Sequence, residues 1–193
     1  MHTEGPLLIL AGAGSGKTRV LTHRIAYLIQ EKGVHPSQIL AITFTNKAAN
    51  EMKERVQQLV GEMTDSIWVS TFHSACVRIL RRDIEKIGFN RNFVIFDTSD
   101  QETLIKDCLK QLNFSDKDFP PKMVLNMIGR AKDELIEPSE YMKMYEADFR
   151  MGRVAKIYRL YQDRLKQNNA LDFDDIIILT IKLFLDNPPV LKF

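Results

Sequence analysis

The chain has 193 residues, 45% of them apolar and 27% charged, enough for one full core or for one core plus a smaller inserted lobe. No run approaches the ~20 uninterrupted apolar residues of a membrane-spanning helix, and the start MHTEGP lacks a secretory signal, which predicts a cytoplasmic protein without a membrane partner. A net charge of +2 excludes binding driven by the field of the whole chain, so any nucleic-acid partner would be held by local patches.

The first predicted element is a strand over Leu7–Leu10, and it runs into the turn Ala11-Gly12-Ala13-Gly14-Ser15-Gly16-Lys17-Thr18 and then a basic helix. The turn fits the Walker A phosphate loop except that Ala11 replaces the first glycine. Gly14 and Gly16 let the backbone approach an anion and turn successive N–H groups toward it at a helix N-terminus. Lys17 is placed to reach the β- and γ-phosphates of a nucleotide, and Thr18 to offer its hydroxyl to Mg²⁺.

Strands are next predicted over Ile39–Phe44 and Ile67–Thr71, each followed by a helix, which is the rhythm of a parallel sheet with crossover helices. The runs LLIL, ILAITF and IWVS hardly alternate, as expected of central strands covered on both faces. Phe44, Thr45, Asn46 and Lys47 gather aromatic, hydroxyl, amide and ammonium groups at the end of one strand. Such groups grip a single-stranded backbone and stack on bases. Equally, Thr45 or Asn46 could cap the helix while Phe44 enters the core. Thr71-Phe72-His73 repeats the arrangement, with Arg78, Arg81 and Arg82 following, so both junctions are expected at one sheet edge, beside the phosphate loop. No Ser-His-Asp or Cys-His arrangement is legible, which sets nucleophilic catalysis by Ser74 or Cys76 aside, and Cys76 and Cys108 are expected as buried, reduced thiols.

From about Asn90 the patterns become mainly helical. Ser99 is expected to cap a helix with Glu102 completing a capping box, Pro120-Pro121 and Pro138 to punctuate helices, and Val154–Gln167 to form a long one. Asp172, Asp174 and Asp175 precede an apolar run and read as a charged first helical turn. Pro188-Pro189 then break the helix.

The motifs AGAGSGKT, TFTNKAANEM, STFHSACVRILRR and NNALDFDDI, in this order and over nearly the whole chain, resemble the front end of UvrD/PcrA/Rep-type superfamily 1 DNA helicases. The resemblance implies an α/β fold, a RecA-like P-loop NTPase parallel sheet, incomplete here, with an inserted all-helical subdomain. Residues 1–89 would be the first part of the motor domain, 90–170 the insertion and 171–193 the return segment. By motif, Ala11, Gly12, Ala13, Gly14, Ser15, Gly16, Lys17 and Thr18 would bind ATP with Mg²⁺, and Arg19 would lie along the adenine. Phe44, Thr45, Asn46, Lys47, Thr71, Phe72 and His73 would contact single-stranded DNA, near duplex junctions, in a 3′-to-5′ motor of DNA repair or replication.

Hydrolysis also needs a strand-end carboxylate pair to hold the metal and polarise water. Asp97 follows an aliphatic run but is followed by Thr98, and the LDFDD carboxylates precede their apolar run. The expectation is therefore an N-terminal fragment, monomeric and inactive in unwinding by itself, that stops before the family's Asp-Glu motif. Three other readings stay open at this point: a P-loop kinase using Asp97, a DNA-binding module with a vestigial loop, and a subunit of a helicase-nuclease.

Overall fold

The computed structural model describes residues 3–12, 14–61 and 66–192, which form a mostly helical α/β structure with short parallel strands. They divide into two compact units, residues 1–75 and 76–193.

In the first unit, α1 (Lys17–Gln30) buries Thr22, Ile25, Ala26 and Ile29, a stripe at helical spacing. The strand β1 (Leu40–Thr43) pairs in parallel with β2 (Trp68–Thr71), in a register that sets Thr43 opposite Thr71. Helix α2 (Asn46–Val60) crosses between them and buries Ala49, Met52, Val56 and Val60, the last three on the same cluster as α1. The parallel pair linked by a helix matches the sequence expectation.

Three expectations fail here. Leu7–Leu10 is not a strand, and its side chains are exposed, Leu8 by 82%. An all-apolar run codes for a strand with neighbours on both edges, and among the described residues the sheet of this unit contains only β1 and β2. For the same reason β1 and β2 are not covered on both faces, and Leu40 stays half exposed. Finally, Cys76 is only half-buried, because it belongs to the rim of its cluster, whereas Cys108 is buried as expected and neither is in a disulfide.

The second unit takes up α3 (Phe72–Asp83) from Cys76 onward; a 3-10 turn (Ile84–Ile87) follows and ends at Gly88, whose φ of 82° suits a residue without Cβ. β3 (Val94–Ile95) then pairs in parallel with β4 (Ala170–Leu171), a two-residue strand not foreseen. Between these strands lies an all-helical excursion: α4 (Thr98–Gln111), α5 (Pro121–Asp133), α6 (Pro138–Met144) and α7 (Phe149–Gln167), packed on a core that includes Ile105, Val124, Val154, Ile157 and Tyr161. Pro121 and Pro138 open α5 and α6, where a missing N–H costs nothing. α8 (Phe173–Asp186) and α9 (Pro188–Leu191) follow, and Ile176 and Leu183 join Leu80, Ile84, Phe93 and Leu171 in a separate cluster.

The cap of α4 differs from the Ser99–Glu102 box expected. Asp97 accepts a hydrogen bond from the Asp100 N–H at 2.9 Å, and Asp100 accepts one from the Asp97 N–H at 3.1 Å. β3 ends at Ile95, so extended backbone persists to Asp97 and the helix starts there, which leaves Ser99 inside the first turn.

Candidate functional site

The glycine-rich turn sits at the start of α1. Gly14 and Gly16 have φ values of 74° and 87°, and Gly16 is the N-cap of a helix that no side chain caps. The turn closes on Gly12, whose carbonyl accepts from the Ser15 N–H at 3.3 Å, the Ser15 hydroxyl at 2.6 Å and the Lys17 ammonium at 3.3 Å. A Cβ on Gly12 or Gly14 would meet nothing within 4 Å, so the loop faces open space. Its outer wall is a cavity of about 610 Å³ lined by Gly14, Ser15, Gly16, Arg19, Val20 and His23.

This geometry suits an anion. An uncapped helix start offers N–H groups and the positive end of the dipole, and Lys17 lies one hydrogen bond from the loop it would release. Thr18 follows Lys17 in the first turn, half-buried. Among the described residues no cluster of three or more His, Cys, Asp or Glu could hold a metal on protein groups alone, so Mg²⁺ here would depend on phosphate oxygens together with Thr18. Ala11 is described and half-buried; Ala13 lies outside the described residues. His23, one turn beyond Arg19 on the same helix face, also lines this cavity.

The two polar-aromatic junctions lie side by side, because the register pairs Thr43 with Thr71 at the carboxyl ends of β1 and β2. Thr45 caps α2, accepting from the Ala48 N–H at 3.1 Å. Thr71 takes the equivalent part at α3, accepting from the Ser74 N–H at 3.2 Å and bonding to the Ser74 hydroxyl at 2.9 Å. Phe44 does not enter the core: it is 90% exposed, and its ring centroid lies 5.9 Å from that of Phe72, itself about half exposed. Asn46, Lys47 and His73 are exposed in the first turns of α2 and α3. Two aromatic rings thus stand in water beside capped helix starts rather than in a core.

The carboxylates considered for metal chemistry have other partners. Asp97 caps α4. Asp172 and Asp175 form the capping box of α8 and are buried around Lys132, whose ammonium lies 2.6 Å from Asp172 and 2.7 Å from Asp175. Burial pushes the Asp175 carboxyl above its ordinary range, and the Lys132 charge opposes that shift.

The model of the UvrD/REP helicase N-terminal domain matches residues 1–193. The chain is 58% identical over 191 residues to the ATP-dependent DNA helicase PcrA of Staphylococcus aureus (strain Mu50) and 59% identical over 191 residues to that of Bacillus subtilis (strain 168). The PcrA of Staphylococcus epidermidis is 58% identical over the same length. Each match covers 99% of this chain and 26% of the relative, so the chain spans about a quarter of the length of these proteins. No helix among the described residues is long and apolar enough to cross a membrane.

Proposed function

The chain belongs to the UvrD/REP helicase N-terminal domain family, and from that premise we propose that it is the ATP-seating and single-strand-contacting part of a 3′-to-5′ DNA helicase. The motor domain, RecA-like, would run through residues 1–89 and resume at 171–193, with 90–170 as the helical insertion. The parallel β3–β4 pair supports this division, since it brings Val94 to Ala170, the points where the helical excursion begins and ends. Asn90 and Asn169 clasp there, the Asn90 N–H donating to the Asn169 side chain at 2.8 Å.

ATP would sit on the turn from Ala11 to Thr18, the phosphates on the amides that open α1, Lys17 against the terminal phosphates, Thr18 on Mg²⁺ and Arg19 along the base. The bound Mg²⁺ would disperse phosphate charge during hydrolysis. Single-stranded DNA, close to a duplex junction, would cross Phe44, Thr45, Asn46, Lys47, Thr71, Phe72 and His73. The observation that carries the reading is the paired Phe44 and Phe72 rings, exposed at one strand edge of the unit that holds the phosphate turn. The phosphotransferase alternative loses its metal ligand, since Asp97 is engaged as a helix cap. The 193 residues alone would bind but not unwind, in a cytoplasmic and monomeric form.

A fluorescent ATP analogue and a labelled oligothymidylate test this together. Lys17→Ala should weaken nucleotide retention by roughly tenfold or more and leave the oligonucleotide bound. Phe44→Ala with Phe72→Ala should do the reverse, by about tenfold, since each base stacked on an aromatic ring contributes ~1–3 kcal/mol. Robust ATP turnover without DNA, or an oligonucleotide affinity indifferent to both phenylalanines, would overturn the assignment.

A further inference from the structure

Outside the site just described, the most completely engaged polar cluster is buried where α5, α7 and α8 meet. Lys132, Asp172 and Asp175 are 2%, 3% and 3% exposed. Every oxygen of the two carboxylates is used. Asp172 Oδ2 accepts from Lys132 at 2.6 Å and from the Tyr161 hydroxyl at 2.9 Å, and its Oδ1 accepts from the Asp175 N–H at 2.9 Å. Asp175 Oδ1 accepts from Lys132 at 2.7 Å and from Gln162 Nε2 at 3.1 Å, and its Oδ2 accepts from the Asp172 N–H at 3.3 Å. The Tyr161 ring lies under the ammonium, 5.5 Å from centroid to Nζ.

A helix cap needs none of this. Asp97 and Asp100 make the same box at α4 as exposed residues, with no cation bridging the two carboxylates. The α8 box differs in being buried and tied by one ammonium to α5, 40 residues earlier in the chain. Buried charge sets of this kind add little net stability over an apolar replacement, and their best-attested use is to fix one arrangement among several. One lesser tie joins α8 to the start of α6: Lys182 Nζ reaches Glu137 at 3.6 Å.

We propose that Lys132 is a positioning residue: clamped between Asp172 and Asp175, it fastens the helical lobe α4–α7 to α8, so that lobe and helix move as one body. The exposed Asn90–Asn169 clasp holds the lobe at its ends, and Lys132 fixes its angle. The functional consequence rests on the helicase reading: α8 shares a buried cluster with Leu80, near the far end of the helix that opens at Phe72, and with Ile84 in the 3-10 turn after it, so a fixed lobe steadies that helix for DNA.

The test uses two variants of this chain. Lys132→Met strands two buried carboxylates and should melt well below the parent. Lys132→Met with Asp172→Asn and Asp175→Asn keeps the capping box, removes all three charges and should melt near the parent. If Lys132 positions the lobe, the triple variant should still exchange amide hydrogens in residues 172–176 and 90–96 roughly tenfold faster than the parent. It should also bind oligothymidylate several-fold more weakly while holding the ATP analogue unchanged. Parent-like exchange in the triple variant would overturn the proposal and leave Lys132 as neutralising charge only. If the parent itself fails to bind oligothymidylate, the helicase reading falls, and the exchange rates still decide the role of Lys132.

Discussion

The turn at the start of α1 and the turn at the start of α8 use the same backbone device in opposite ways. At α1 the cap is Gly16, no side chain satisfies the first amides, and the surroundings are open. At α8 the cap is Asp172, each carboxylate oxygen is occupied, and the cluster is almost without solvent. A helix start left uncapped is a place for an external anion, whereas one closed by its own carboxylates and a buried cation belongs to the architecture. The contrast explains why the acidic LDFDD motif, with three carboxylates in five residues, is not where metal chemistry is expected.

Asp172→Ala should separate the two turns by the largest margin. It removes the cap of α8, strands the Tyr161 hydroxyl, and leaves Lys132 with one carboxylate instead of two. Breaking a buried pair costs about 3–5 kcal/mol, which for a chain of this size lowers the melting temperature by on the order of 10 °C. Thermal unfolding checks the melting point and analogue binding checks the other turn, which should be untouched well below that temperature. A shift within a degree or two would break the comparison, because the cluster would then not be part of the architecture.

Asp97→Ala sharpens the comparison with a cap that is exposed and carries no cation. Its loss should cost about 1 kcal/mol, as for other helix caps, and Asp97→Asn, which can still accept from the Asp100 N–H, only a few tenths. Denaturant unfolding of both variants gives the order. A loss of nucleotide binding in Asp97→Asn would restore this residue as a metal ligand and revive the phosphotransferase reading.

How much of this was legible in the sequence depends on the range of the interactions. The glycine turn before α1, a cap at Thr45 or Asn46, an acidic start to α8 and the proline breaks at α5 and α6 are decided within about four residues, so local spacing suffices, although Asp172 proves to be the cap of α8 rather than part of its first turn. Leu7–Leu10 failed because a strand is defined by its neighbours, and apolar content alone does not supply a ladder. The two-residue β3 and β4 are too short for any periodicity and exist only through pairing across the helical excursion. Asp97 displaced Ser99 as cap because the end of β3, not the helix pattern, fixes where α4 begins. The exposure of Phe44 could not be read from its neighbours, since a phenylalanine at a strand end suits a core equally well; its ring partner, Phe72, arrives through the β1–β2 register. The burial of Lys132 follows from carboxylates 40 and 43 residues away, beyond the reach of local spacing.

The smallest expected effect concerns the proton. Burial raises the Asp175 carboxyl above its ordinary value of 3.8 in the folded chain, against the pull of Lys132. Between 3.8 and the raised folded value, the folded chain therefore binds a proton that the unfolded chain does not. The sign follows: as pH falls through that window this group favours folding progressively more, and above the window it opposes folding by a constant amount. Asp175→Asn cannot take up that proton. With unfolding midpoints of parent and variant measured from about pH 8 to about pH 5, the parent should gain on the variant as the solution becomes more acidic. The opposite trend would mean that Lys132 holds the carboxyl below its ordinary value, and that the cluster stabilises the fold as an ion pair rather than fixing its arrangement.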